Sequence, residues 1–391
     1  MKSLVLYCKS RNNIQESESK QEADKNWSLD NRNVEFHINL WKTKNGVIRI
    51  KPSLIFDFGI KFNKDITELC LFLPFRIPSQ KGVEDLGKCL STNRDLLNAV
   101  FNEDMICQSA TNHCFCEISN NNNLENRNET FYIYHLGEDN IKLEEYTENS
   151  VVKGSFLTIS INGTPSSEQT IEDKKYYVRF RVYVEDINEI VRTEILSNDL
   201  LQAAFSRIDL FDIRLNEQRE IPSKVDEKMK KQQFELCTFN KLHFFYIVDT
   251  HETINNGVDV RKDSRLLENE QWIDYEPQSN MVRLNYIAHH WKKTGSSGEH
   301  KFSHFNLFFS TIYPKLSFVR LLAYFSIIVL LGWLGSELTF SVKDLVFCDN
   351  KTNWIFNWIC PIIVVALFLF LIIYILKTNT VVSGLKVRRK I

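Results

Sequence analysis

The feature that most constrains this chain is an uncharged run near its C-terminus. Trp354–Leu376 reads WIFNWICPIIVVALFLFLIIYIL and has no charged residue in 23 positions. An α-helix needs about 20 apolar residues to cross the hydrocarbon core of a bilayer, and a helix of a globular protein rarely stays apolar on every face for that length. The run therefore predicts a transmembrane helix, with a buried core helix as the alternative.

A second apolar run precedes the first. Leu321–Ser336 reads LLAYFSIIVLLGWLGS and lies between Arg320 and Glu337. Because these two charged side chains can extend to opposite interfaces, the span can lengthen beyond the uncharged stretch. A re-entrant segment is the alternative. The two runs together predict a two-helix hairpin made of transmembrane helix 1 at 316–340, an external loop at 341–353 and transmembrane helix 2 at 354–376.

The charges that flank this hairpin predict its orientation. Basic residues lie on both outer flanks, so the positive-inside rule predicts a two-pass membrane protein with both termini in the cytoplasm. The tail at 377–391 contains LKVRRK, which attracts anionic lipid headgroups. The residues expected at the membrane interface are Arg320, Trp333, Glu337, Trp354, Trp358, Lys377, Arg388, Arg389 and Lys390.

Averages over the whole chain conceal the hairpin. The mean hydropathy is -0.24 and the formal net charge is -1. A dedicated nucleic-acid binder usually carries a basic surplus, so near-neutral charge disfavours that class of partner. The N-terminus has no signal-peptide pattern, and the nine cysteines are scattered, unlike a disulfide framework. We therefore expect the region before the hairpin to be cytosolic.

Alternating apolar residues predict strands in this region, among them Val34–Trp41, Leu54–Phe62, Tyr176–Val184 and Leu242–Val248. Helical periodicity is rarer and fits Asp95–Asn102. The predicted fold class is α+β, with a β-rich cytosolic region joined to the transmembrane hairpin. The predicted divisions of that region are a flexible lead-in at 1–32, a first β-rich unit at 33–163 and a second at 164–312.

Two pairs of similar segments indicate an internal repeat. KDITEL at Lys64–Leu69 resembles EDINEI at Glu185–Ile190, and DLLNAVF at Asp95–Phe101 resembles DLLQAAF at Asp199–Phe205. The pairs occur in the same order and the same predicted context, which favours two related strand-turn-strand-helix-strand units. The residues expected in the repeated core are Ile66, Leu96, Leu97, Phe101, Ile187, Leu200, Leu201 and Phe205.

One cluster has the composition of a metal site. Cys107, His113, Cys114 and Cys116 supply thiolate and imidazole donors, which zinc prefers. The C-x-C spacing is tighter than that of a zinc knuckle, no second pair follows downstream, and a strand would put Cys114 and Cys116 on one face. Ordinary half-buried cysteines are the alternative.

Three other patterns have some features of a functional site. Gly82–Lys88 (GVEDLGK) has the spacing of a phosphate-binding loop. However, Cys89 stands where the magnesium-binding hydroxyl should be, and the negative charges of Glu84 and Asp85 would repel a phosphate.

His289 and His290 are adjacent, so in a strand they face opposite ways and at most one can join a given site. The run from Glu172 to Lys175 loosely resembles a nuclease carboxylate–lysine cluster, and such runs are usually solvated.

No motif identifies a family or a catalytic trio. The sequence therefore favours a membrane-anchored cytosolic sensor or binding protein that is not an enzyme and has no cofactor. Its hairpin would perturb the membrane on oligomerisation, by analogy only with bacterial defence or cell-suicide effectors. A passive membrane-anchored scaffold and an enzyme of unrecognised type are the alternatives. The expected partners are the lipid bilayer, an unknown cytosolic ligand or protein, and further copies of the chain, but no nucleic acid.

Overall fold

The computed structural model is β-rich: of the residues that it describes, about 60% lie in strands and about 22% in helices. It forms two compact units, the first made of Met1–Thr193 and Asp209–Ile312, the second of Glu194–Ile208 and Tyr313–Ile391. The residues described are 2–11, 33–43, 53–101, 103–109, 113–118, 130–161, 175–184, 188–194, 205–256, 263–267, 272, 275, 285–295, 301–314, 318–347 and 366.

Strands and α-helices follow one another in this order along the described residues: β1 Val5–Ser10, β2 Asn33–Thr43, β3 Ser53–Asn63, β4 Ile66–Leu73, β5 Val83–Asp85, α1 Gly87–Thr92, α2 Arg94–Phe101, β6 Met105–Ser109, β7 His113–Ile118, β8 Thr130–Tyr134, β9 Ile141–Glu148, β10 Val151–Ser160, β11 Lys175–Val184, β12 Val191–Glu194, β13 Ser206–Leu215, α3 Ser223–Lys231, β14 Glu235–Leu236, β15 Thr238–Asp249, β16 Thr253–Asn256, β17 Asp263–Leu266, β18 Tyr286–Thr294, β19 Phe305–Pro314 and α4 Phe318–Phe347.

A ten-stranded sheet is the centre of the first unit. Its strand order is β17-β18-β15-β2-β3-β11-β8-β7-β6, and β5 pairs with β11. Smaller sheets have the orders β14-β1-β4-β10-β9 and β12-β13-β19-β16. Strands of both predicted β-rich units belong to the large sheet: β15 of the second pairs with β2 of the first, and β11 of the second lies between β3 and β8 of the first.

The two faces of the ten-stranded sheet differ in chemistry. Because successive side chains of a strand point to opposite faces, β2 sends Phe36, Ile38 and Leu40 to one face, where they join a large apolar core that includes residues of β1 and β4. The other face carries the polar members of the same strands. We call it the polar face; its residues on the four central strands are Glu35, His37, Asn39, Asp57, Lys61, Tyr177, Arg179, Arg181, Lys241 and His243.

A buried ion pair fixes the polar face between β3 and β11. Arg181 donates from Nε and Nη2 to the two carboxylate oxygens of Asp57, at 2.7 and 3.1 Å. Trp41 Nε1 also donates to Asp57, at 2.6 Å. Arg181 and Arg179 then both donate to Tyr275, to its carbonyl oxygen and its hydroxyl respectively. Since Asp57 is 0% exposed and Arg181 2% exposed, each charge depends on the other for compensation.

The predicted transmembrane hairpin is wrong. Among the residues that the structure describes, no helix is long and apolar enough to cross a membrane. Helix 1 of the prediction falls on α4, whose uncharged stretch Leu321–Ser336 has 16 residues, fewer than the roughly 20 needed. Apart from Ala366, helix 2 of the prediction at 354–376 lies outside the described residues. The fold class with a hairpin, the two-pass membrane protein and the multi-pass localisation are corrected accordingly.

Helix α4 presents large apolar side chains at its surface. Leu322, Phe325, Val329 and Trp333 are exposed. Trp333 is therefore an exposed residue of α4, and Arg320 and Glu337 belong to the same helix. The remaining residues predicted for the membrane interface lie outside the described part of the chain: Trp354, Trp358, Lys377, Arg388, Arg389 and Lys390.

The first copy of the predicted repeat has a clear structural context. Ile66 begins β4 and is buried, Leu96 and Leu97 are buried on α2, and Phe101 ends α2 half-buried. In the second copy Phe205 is exposed, while Ile187, Leu200 and Leu201 lie outside the described residues. The duplication stays a prediction.

We expect Asp57→Ala to lower the free energy of unfolding by about 3–5 kcal/mol, because it leaves the Arg181 guanidinium buried without its carboxylate. Denaturant unfolding followed by circular dichroism measures the change. The matched control is Arg76→Ala, which breaks an ion pair with Glu145 whose side chains are 52% and 42% exposed; we expect a loss within about 1 kcal/mol there. Equal losses in the two variants would contradict the importance of the buried pair.

Candidate metal centre

Three potential metal ligands meet on the polar face. Glu35 and His37 lie two residues apart on β2, so they share a face, and His243 reaches them from the neighbouring strand β15. His37 Nε2 lies 3.1 Å from Glu35 Oε1, and His243 Nε2 lies 3.9 Å from the same oxygen. All three donor atoms lie within 4.8 Å of one another. We call Glu35, His37 and His243 the triad.

An irregularity in β15 creates this juxtaposition. β15 runs parallel to β2, with Phe239 opposite Val34 but Lys241 opposite Glu35, so Asn240 is an extra residue. Without the extra residue Leu242 would lie opposite His37. With it, His243 takes that position. A one-residue shift of register exchanges the two faces of a strand, so this bulge is what brings the second imidazole to the polar face.

The second nitrogen of each imidazole also has a partner. His243 Nδ1 lies 3.0 Å from His290 Nε2, and His37 Nδ1 lies 3.4 Å from the hydroxyl of Tyr177. Tyr177 in turn accepts a hydrogen bond of 2.8 Å from Arg179. Metal-binding histidines in proteins usually engage their other nitrogen in this way, which fixes the ring and its tautomer.

Electrostatics place the triad in the protonation states that bind metals. Burial raises the pKa of Glu35, but a hydrogen bond with His37 and the positive charges of Lys61 and Lys241 act in the opposite direction, and the pKa lies well below its ordinary value. Burial lowers the pKa of His37, and burial with a smaller contribution from His37 lowers the pKa of His243 to about 3. One carboxylate and two neutral imidazoles result.

Aromatic rings surround the triad. The rings of Phe101 and Tyr177 lie 6.0 and 5.8 Å from that of His37, and Phe245 stacks on His290 at 4.3 Å. The ammonium group of Lys61 lies 4.4 Å from the centre of the Phe131 ring, a cation–π contact. The surroundings therefore restrict the motion of the ligands and exclude bulk water from much of the site.

The structure brings some of the site residues predicted from sequence together and separates others. Three of the four metal candidates, Cys107, Cys114 and Cys116, come together, whereas His113 points to the opposite face of β7, where its ring lies 5.6 Å from that of Tyr132. His290 contacts the triad through His243, and His289 contacts Ser264 on the other face. The adjacent histidines thus separate as the strand geometry requires.

The phosphate-loop pattern is not a phosphate site in this fold. The carboxylate of Asp85 accepts hydrogen bonds of 3.1 Å from the backbone amides of Gly87 and Lys88. A bound phosphate needs those same amides. Of the carboxylate–lysine run, Lys175 begins β11, and 172–174 lie outside the described residues.

No pattern in the sequence indicates the triad. The alternation of apolar and polar residues in β2 shows that Glu35 and His37 share a face, but no third metal ligand lies near them in the sequence. His243 is distant along the chain and its register depends on the bulge at Asn240. The chain matches no protein-family model and no curated protein, so the geometry alone must support a functional proposal.

Proposed function

We propose that this protein is a sensor or binding protein that holds a divalent transition-metal ion at the triad. The observation that carries the proposal is the convergence of one carboxylate oxygen and two imidazole nitrogens within 4.8 Å. Zinc binds nitrogen and oxygen ligands at about 2.0–2.2 Å, so ligand atoms around one ion lie roughly 3.3 Å apart. The separations of 3.1 and 3.9 Å in the triad need little adjustment to meet that requirement.

The second-nitrogen contacts support the same proposal. His243 Nε2 and Glu35 Oε1 lie 3.9 Å apart, which is too far for a direct hydrogen bond, and if His243 Nδ1 donates to His290 the lone pair of Nε2 is directed at the carboxylate. A cation between them resolves this arrangement. Metal binding by His37 Nε2, which lies 3.1 Å from Glu35 Oε1, requires the His37 proton on Nδ1, where the Tyr177 oxygen at 3.4 Å can accept it.

The donor set selects the class of metal. Imidazole and carboxylate together suit Zn²⁺, Fe²⁺, Co²⁺ and Ni²⁺ rather than Mg²⁺ or Ca²⁺, which prefer oxygen ligands alone. Glu35 supplies one negative charge, so the bound centre keeps a net positive charge. The ammonium group of Lys61 lies 4.4 Å from the centre of the Phe131 ring. Lys241 lies 4.0 Å from Glu35 Oε2, whereas the two imidazoles lie near Oε1.

We expect the full-length protein to bind one Co²⁺ or Zn²⁺ at this site, and we expect Glu35→Gln, His37→Gln and His243→Gln each to abolish that binding. Co²⁺ absorption in the visible range reports binding and the geometry of the ligands. The matched control is His304→Gln, which removes an exposed histidine and should bind like the parent. Parent-like binding by all three triad variants would overturn the proposal.

Metal binding at the triad should also stabilise the folded chain. At a free metal concentration of 100 times Kd the free energy of unfolding should rise by about 2.7 kcal/mol, because the ion binds only the folded chain. Denaturant unfolding with and without Zn²⁺ measures this increase. In His243→Gln the increase should be smaller than in the parent, because the triad has lost one ligand; an equal increase in that variant would place the stabilising ion elsewhere.

We expect Tyr177→Phe to weaken metal binding by about 10–100-fold, the usual effect of removing a partner that orients a ligand. Isothermal titration with Zn²⁺ measures the affinity. Tyr176→Phe is the matched control, because Tyr176 is the neighbouring residue on the opposite face and its buried hydroxyl has no hydrogen-bond partner among the described residues. A loss of equal size in both variants would contradict the positioning role of Tyr177.

A metal-dependent enzyme is the second candidate, favoured by the number of ligands. Three protein ligands are typical of catalytic zinc sites, and two histidines with one carboxylate are typical of Fe²⁺ oxygenases; both leave a position open. A Co²⁺ spectrum that changes with pH near 7 would report an ionising bound water and favour this candidate. A spectrum that is constant from about pH 6 to 9 would favour a closed binding site.

A further inference from the structure

Strands β6 and β7 collect three thiols on one face of the ten-stranded sheet. Cys107 lies directly opposite Cys116 in the antiparallel pair, and Cys114 lies two residues before Cys116 on the same side of β7. The sulfur atoms of Cys114 and Cys116 are 4.0 Å apart, and all three sulfurs lie within 4.8 Å of one another. We call these three residues the thiol cluster.

The surroundings of the thiol cluster differ from those of the triad. Cys114 and Cys116 are 0% exposed and pack in an apolar cluster with Leu97, Met105 and Phe131. Cys107 is half-buried at the edge of the same cluster, which gives an ion a route of entry. Hydrogen bonding with Cys114 raises the pKa of Cys107, and the charge of Arg94 acts in the opposite direction with a smaller effect.

The separations of the sulfurs match those around a single metal ion. A Zn–S bond is about 2.3 Å, so sulfurs that share one ion lie roughly 4 Å apart, and larger soft ions spread them further. Thiolates select soft ions such as Cu⁺ and Zn²⁺ over Mg²⁺, Ca²⁺ and Mn²⁺. A backbone of two paired strands fixes all three Cβ positions, so the donors are arranged before the ion arrives.

We propose that Cys107, Cys114 and Cys116 form a tris-thiolate site for a soft d¹⁰ metal ion, of the class to which Cu⁺, Zn²⁺ and Cd²⁺ belong. Each thiol loses its proton to solvent as its sulfur binds the ion. No electron is transferred. A divalent ion then leaves the centre with one net negative charge. This site is independent of the triad, because it has different ligands and a softer metal preference.

Titration of the reduced full-length protein with Cd²⁺ tests the proposal, because thiolate-to-cadmium charge transfer gives an ultraviolet absorption band. We expect the band to saturate at one Cd²⁺ per chain. Cys107→Ser, Cys114→Ser and Cys116→Ser should each reduce its intensity by roughly one third, since each removes one of three metal–sulfur bonds. Cys89→Ser is the matched control, a half-buried cysteine of the same apolar cluster, and should leave the band unchanged.

Two further measurements keep the result decisive if a variant fails to fold. The ¹¹³Cd chemical shift of the parent protein counts sulfur ligands without any substitution, and three sulfurs are expected. His243→Gln should retain the full charge-transfer band, because the triad does not contribute sulfur. A chemical shift typical of nitrogen and oxygen ligands would overturn the proposal, as would a Cys107–Cys116 disulfide in the metal-treated protein found by peptide mapping.

Discussion

The polar face depends on the buried ion pair between the carboxylate of Asp57 and the guanidinium of Arg181. The Asp57 carboxylate is fully buried. It accepts hydrogen bonds from Nε and Nη2 of Arg181 and a third from Nε1 of Trp41. Arg181 and Arg179 extend this arrangement to Tyr275, and Arg179 extends it to Tyr177. Because Tyr177 contacts His37, a chain of buried hydrogen bonds runs from the ion pair to the triad. Satisfied networks of this kind make a polar interior rigid and specific.

The two donor sets of the ten-stranded sheet illustrate how one scaffold can separate metals by chemistry. The triad offers nitrogen and oxygen donors beside charged groups, and the thiol cluster offers sulfur donors within an apolar core. Phe131 belongs to that core and also accepts the cation of Lys61 beside the triad. Borderline divalent ions favour the first set and soft ions the second. Both sets rest on strands, whose fixed spacing holds donors in place better than loops do.

Part of this arrangement is readable from the sequence. The alternation in VEFHINLW predicts that Glu35 and His37 share a face, and C-x-C within a strand predicts the same for Cys114 and Cys116. Helix α2 begins and ends within one residue of the predicted Asp95–Asn102. The apolar C-terminal runs led to a wrong prediction, because hydropathy reports only that a segment avoids water. In α4 the uncharged part is too short to span a bilayer.

The sequence by itself determined which residues occupy each face of a strand, because side-chain direction alternates with a period of two regardless of context. Only the tertiary structure decided which faces meet. His243 joins Glu35 and His37 because the extra residue Asn240 shifts the register of β15, and Cys107 joins the other thiols because of its pairing with Cys116. Register arises from hydrogen bonding between strands that are distant in the chain, so no local pattern of residues contains it.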